Sequence, residues 1–124
     1  KWHIVSVCFR ETTSVDEIKQ AIEDAQATTC VVECSDAYFP FVRDLRATST
    51  KEIRVCREVQ DVDKRIAATS DYVRSNIEFS EIQLVEQPEY EQFMNNLLDY
   101  HKDGERKEAS AALSGLIQFV VKLS

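Results

Sequence analysis

TTCVVECSDAYFPF, residues 28–41, runs from β-branched residues through two cysteines into an acid, three aromatics and a proline. As chemistry, the stretch offers a metal or redox site; as structure, it is a strand over Thr29–Cys34 feeding a short helix. The structural reading is the stronger. Thr29, Val31 and Val32 suit a pleated surface. Cys30 and Cys34 fall on one face of such a strand, about 13 Å apart by strand rise, too far to ligate one ion together. Asp36 can cap a helix and Pro40 suits its first turn, leaving Phe41, Val42 and Leu45 as the helix's apolar residues.

Strand and helix signals alternate outward from there. HIVSVCF, residues 3–9, is apolar on both faces, as in a covered parallel sheet. Ser14 to Glu17 forms a capping box before a stripe of Val15, Ile18, Ile22 and Ala25. KEIRVCREV, residues 51–59, sets Ile53 and Val55 against Arg54, Cys56 and Glu58, a half-polar alternation fitting a sheet edge or a partly open face. Asp61 opens a helix with Val62, Ile66, Val73 and Ile77, and a fourth strand is expected near Glu81–Glu86. Pro88 precedes a helix carrying Tyr90, Phe93, Met94, Leu97 and Leu98, with Gly104 placed to end it and His101 in its last turn. The final stretch, ERKEASAALSGLIQFVVKLS, reads as a further helix. The expected fold is α/β: a mostly parallel sheet of about four strands in βαβαβαβ order with two further C-terminal helices, in a single domain over 1–124.

A chain of 124 residues with 44% hydrophobic side chains fits one core. Its net charge of −7 repels a phosphate backbone, and the nearest basic patch, Arg43, Arg46, Lys51, Arg54 and Arg57, is interrupted by Asp44, Glu52 and Glu58. Nucleic acid is therefore disfavoured as a direct ligand. No apolar run approaches the roughly 20 residues of a membrane span. The four cysteines lie in strand-like runs, where cysteine serves as a small hydrophobe, and a reducing intracellular compartment, cytoplasmic or nuclear, is expected. The chain begins at Lys1 and its single methionine is Met94, which points to a fragment of a larger polypeptide.

The two glycines, Gly104 and Gly115, lie far from the first strand-to-helix turn, so neither a dinucleotide fingerprint nor a P-loop can form there. No cofactor is expected. His3 and His101 belong to no nucleophile motif, and receiver-type phosphoacceptor chemistry lacks its acidic cluster. A polar rim at the carboxyl ends of the strands, made of Arg10, Glu11, Thr12, Ser35, Asp36, Arg57, Glu58 and Glu86, is the expected place for a small ligand. Cys8, Cys34 and Cys56 near the same strand ends form the alternative, a metal or redox site. Phe41 can go inward while Tyr38 and Phe39 either cover the sheet end or meet a partner, since all three cannot face the same way, and Val121 on the last helix offers a second contact surface.

The strand ending VCF, the CVVEC strand and the final helix EASAALSGLIQFVVKLS together resemble the connector domain of MutS-type mismatch-repair proteins. That resemblance implies an RNase H-like domain that transmits signals and binds partners without catalysis. It carries over no functional residue. The reading reached from the residues is a non-catalytic protein-interaction or regulatory module, working through a protein partner or self-association.

Overall fold

Thr29–Cys34 is a strand, β2, and it pairs in parallel with β3, Glu52–Arg57. The register sets Cys30 opposite Ile53 and Val32 opposite Val55, which gathers the apolar side chains on one face. Two helices supply its cover: α1, Val15–Asp24, and α2, Phe39–Thr48. Val42, Leu45 and Ile53 are the buried centre, with Ile22, Cys30, Val32, Cys34, Phe41 and Val55 packed around them. The opposite face carries Glu33, Glu52 and Arg54, all exposed, as the half-polar alternation of 51–59 anticipates.

The computed structural model describes residues 1–10, 14–57 and 61–123, without the side chains of Arg57 and Leu123. These fall into two compact units: an inserted unit, Glu11–Gln60, holding the elements above, and a terminal unit, Lys1–Arg10 with Asp61–Ser124. In the inserted unit Ser14 caps α1 by accepting from the Glu17 amide at 3.2 Å. A 3-10 turn, Asp36–Tyr38, leads into α2 with Pro40 in the first turn. Glu23 closes the α2–β3 connection by accepting from the Ser49 and Thr50 hydroxyls.

The terminal unit begins with β1, Trp2–Ile4, in parallel with β4, Ile77–Phe79. Its helices are α3, Val62–Asn76; α4, Glu81–Leu84; α5, Tyr90–Leu98; and α6, Glu108–Leu123. Leu84, Ala109, Leu113, Ile117 and Val120 are buried. The small residues of α6 meet α3, where Arg65, only 5% exposed, donates to the Ser114 hydroxyl at 2.9 Å and the Ala111 carbonyl at 2.8 Å.

The fold is thus α/β, but the four-stranded βαβαβαβ sheet is corrected to two separate two-stranded parallel pairs. Two segments account for the difference. Residues 81–84 form a helix turn, because Ser80 can precede it and only Leu84 goes inside; Ile82 and Val85 are 94% and 70% exposed. The first strand ends at Ile4, and beyond it side chains replace a neighbouring strand. Gln87 accepts from the Val7 amide and donates to the Val5 carbonyl, while Glu89 accepts from the Phe9 amide. Likewise α5 ends at Leu98, which leaves His101 beyond the helix; the left-handed residue of the following loop is Asp103, not Gly104. A Cβ at Gly104 would come within 2.8 Å of the exposed His101 ring, which would have to shift to admit it. Among the described residues no helix is long and apolar enough to cross a membrane.

Candidate functional site

Helical spacing places Phe39, Val42, Arg43 and Arg46 on one face of α2, and that face borders Val55 of β3. Together they line a groove of about 350 Å³. Val42, 3% exposed, and Val55 form its apolar floor, half-buried Phe39 stands at one end, and two exposed guanidinium side chains make the rim. Arg46 donates from Nε to the Ile53 carbonyl at 3.3 Å. Arg43 is exposed and has no hydrogen-bond or ion-pair partner among the described residues.

The groove lies along a strand edge. The Glu52 amide donates to the Thr28 carbonyl on the β2 side. Backbone groups alternate sides along a strand, so Ile53, Val55 and Arg57 turn their N–H and C=O away from β2. The Arg46 bond to Ile53 agrees with that direction. No described strand pairs with this edge.

The aromatic residues separate as the sequence argues. Phe41 packs on the core, Tyr38 is 61% exposed, and Phe39 lines the groove. Val121 is 46% exposed on α6, whose Ala109, Leu113, Ile117 and Val120 are buried within the terminal unit. Of the basic residues read as one patch, Arg43 and Arg46 line the groove, and the side chain of Arg57 lies outside the described residues. Lys51 donates to the Ala25 carbonyl, and Arg54 pairs with Glu52 on the opposite face of the sheet.

The expected polar rim is divided between the units. Arg10 and Glu86 belong to the terminal unit, where Arg10 binds Glu89 at 2.5 Å. Ser35 and Asp36 flank the start of the 3-10 turn in the inserted unit. Arg57 pairs through its backbone with Cys34, its side chain lying outside the described residues. Glu11, Thr12 and Glu58 also lie outside them. The cysteines are not brought to one face. Cys34 pairs with Arg57 and Cys56 with Glu33, so strand alternation points the two thiols to opposite faces, and Cys8 belongs to the terminal unit. Burial pushes the Cys30 thiol above its ordinary pKa, which opposes thiolate chemistry. Among the described residues no group of three or more His, Cys, Asp or Glu is arranged to hold a metal.

The terminal unit has its own polar cluster. Asp63 on α3 accepts from Lys107 Nζ at 2.6 Å and from the Tyr100 hydroxyl at 2.7 Å. The Lys107 bond, then the Tyr100 bond, hold the Asp63 carboxyl below its usual range, and Asp63 pushes Tyr100 up to about 12. Both changes stabilise the existing protonation states at neutral pH, so the cluster is a structural clasp between α3 and the loop before α6. Glu89 is similar: burial opposes its ionisation, but hydrogen bonds from Arg10, the Phe9 amide and Cys8 lower its pKa. The sequence reading missed the groove because its floor comes from a strand and its rim from a helix; the signal was the spacing of Phe39, Val42, Arg43 and Arg46.

No protein-family model, curated protein or solved structure matches the chain.

Proposed function

We propose that the chain is a non-catalytic protein-interaction module whose docking site is the groove between α2 and the outer edge of β3. The observation that supports this reading is an apolar floor with an arginine rim on a molecule of net charge −7. Local positive charge at the groove favours a partner that presents acidic side chains. Val42 and Val55 supply desolvated contact, and Phe39 and the two arginines are the kinds of side chain that dominate binding energy at interfaces. Of the elements behind the connector-domain resemblance, the CVVEC strand and the last helix are present, whereas residues 7–9 of the VCF strand lie outside β1.

Panning a displayed random-peptide library against the full chain tests the proposal. Enriched peptides should lose at least about tenfold in affinity for the Arg43→Glu/Arg46→Glu variant, with stronger binding at low salt. Hydrogen exchange at β2 and β3 must be unchanged in that variant. Failure to enrich peptides, or binding indifferent to both arginines in a folded variant, overturns the assignment.

A further inference from the structure

We infer that the occupant of the groove is an extended acidic segment that joins β3 as an added strand, placing an apolar side chain on Val42 and Val55 and carboxylates beside Arg43 and Arg46. This rests on the groove being the docking site and goes further by fixing the partner's backbone conformation and charge. Three observations converge on it.

The first is the backbone. The outward N–H and C=O of Val55 belong to an edge with no described partner strand, which is a template for another chain. The second is shape. A strand alternates its side chains, so every other residue of an added segment would face the side of the sheet on which Val55 meets α2. One apolar residue entering there meets Val42 and Val55, with Phe39 at the end. The third is charge. Arg46 sits on the edge itself through its 3.3 Å bond to the Ile53 carbonyl, and Arg43 precedes it by three residues on the same helix face. Carboxylates on an incoming segment provide Arg46 with a charged acceptor in place of a neutral one, and charge-assisted bonds are about twice as strong.

Arginine beside a free edge also serves to discourage pairing with other chains. That role accounts for Arg46 but not for the apolar floor beneath it or for Arg43, which has no partner among the described residues. It also predicts the opposite result, since a guard repels every added strand while a dock selects acidic ones. Because Ile53 is 6% exposed and already engaged by Arg46, added pairing centres on Val55.

The test uses the full chain and synthetic peptides alternating valine and glutamate, with calorimetry for affinity and hydrogen exchange for the Val55 amide. Four peptides suffice: the parent, one with lysine for glutamate, one with proline in the strand, and one N-methylated on the edge that faces β3. The parent should bind and slow exchange at Val55, the lysine peptide should fail, and proline or N-methylation should each reduce affinity about tenfold or more through lost backbone bonds. If the N-methylated peptide binds as well as the parent and Val55 exchanges unchanged, strand addition is overturned while the groove remains a docking site. If acidic peptides fail while library-selected basic or helical peptides bind in an Arg43-dependent way, the inferred partner is wrong and the module reading stands. If no peptide of any class binds, both readings fall.

Discussion

The inserted unit and the terminal unit solve the same problem, covering a two-stranded parallel pair, by different means. The inserted unit does it with regular elements: β2 and β3 share a six-residue register, and α1 and α2 bring apolar side chains to one face. The terminal unit has only a three-residue pair and replaces the missing ladder with side chains. Gln87 and Glu89 satisfy the backbone of residues 5–9, Asp63 clasps Tyr100 and Lys107, and buried Arg65 ties α3 to α6. The contrast teaches where a free surface arises. A regular unit of so few strands leaves an edge of β3 with no partner strand among the described residues, whereas side chains that reach across sequence close the other unit's backbone gaps.

The contrast breaks most sharply at Leu45, which is 1% exposed at the centre of the inserted core. Leu45→Ala should cost about 3 kcal/mol through lost transfer energy and the cavity left behind. The loss should appear first as faster hydrogen exchange across 29–34 and 52–57. Trp2, the single tryptophan, lies in the terminal unit and donates its indole N–H to Tyr72 at 3.1 Å, so its fluorescence reports that unit separately. Fluorescence and exchange transitions that shift equally would show one cooperative structure and remove the distinction between the units.

The inserted unit was the more legible in the sequence, and for a physical reason. Its signals are local: β-branched residues in 29–34, a serine cap at 14, a proline in the first turn of a helix, and a period-two alternation at 52–57. Each can be read without knowing what lies across the fold. The terminal unit depends on pairs far apart in sequence, such as Val7 with Gln87 and Asp63 with Lys107, which no periodicity announces. EIQLVE looked like a strand because Ile82, Leu84 and Val85 are β-compatible, yet only Leu84 is buried. The candidate site was half legible. Phe39 stood out as an aromatic that could not follow Phe41 inward, but the arginines were read as an interrupted patch, because linear proximity hides that Lys51 and Arg54 point elsewhere.

The clasp of the terminal unit sharpens the comparison through pH. Asp63 has a depressed pKa, so its contribution is present above the ordinary carboxylate range and is lost as pH falls through the folded value. Asp63→Asn should therefore be less stable than the parent at neutral pH, and the two should converge in acid. Tyr100 runs the other way: its pKa rises from 10.0 to about 12, so its contribution is complete below the lower value and disappears as pH climbs through the upper one. Tyr100→Phe should match the parent only at the alkaline extreme. Trp2 fluorescence followed through denaturant titrations at each pH measures both. A stability difference independent of pH for either variant would mean that these bonds do not clasp the unit.

The smallest effect is expected on the open face of the inserted unit. Arg54 pairs with Glu52 at 2.5 Å, but both side chains are more than half exposed, at 60% and 52%. Water screens such a pair, and fixing two long side chains costs entropy comparable to the attraction gained. Arg54→Ala should change stability by no more than about 0.5 kcal/mol, and it should leave peptide binding at the α2–β3 groove unaltered because Arg54 projects from the other face. Arg43→Ala provides the matched contrast: equally small in denaturant, yet weakening an acidic peptide. If both arginines weaken binding alike, the peptide is held by the diffuse charge of the unit rather than by the groove, and the distinction between its two faces loses its functional meaning.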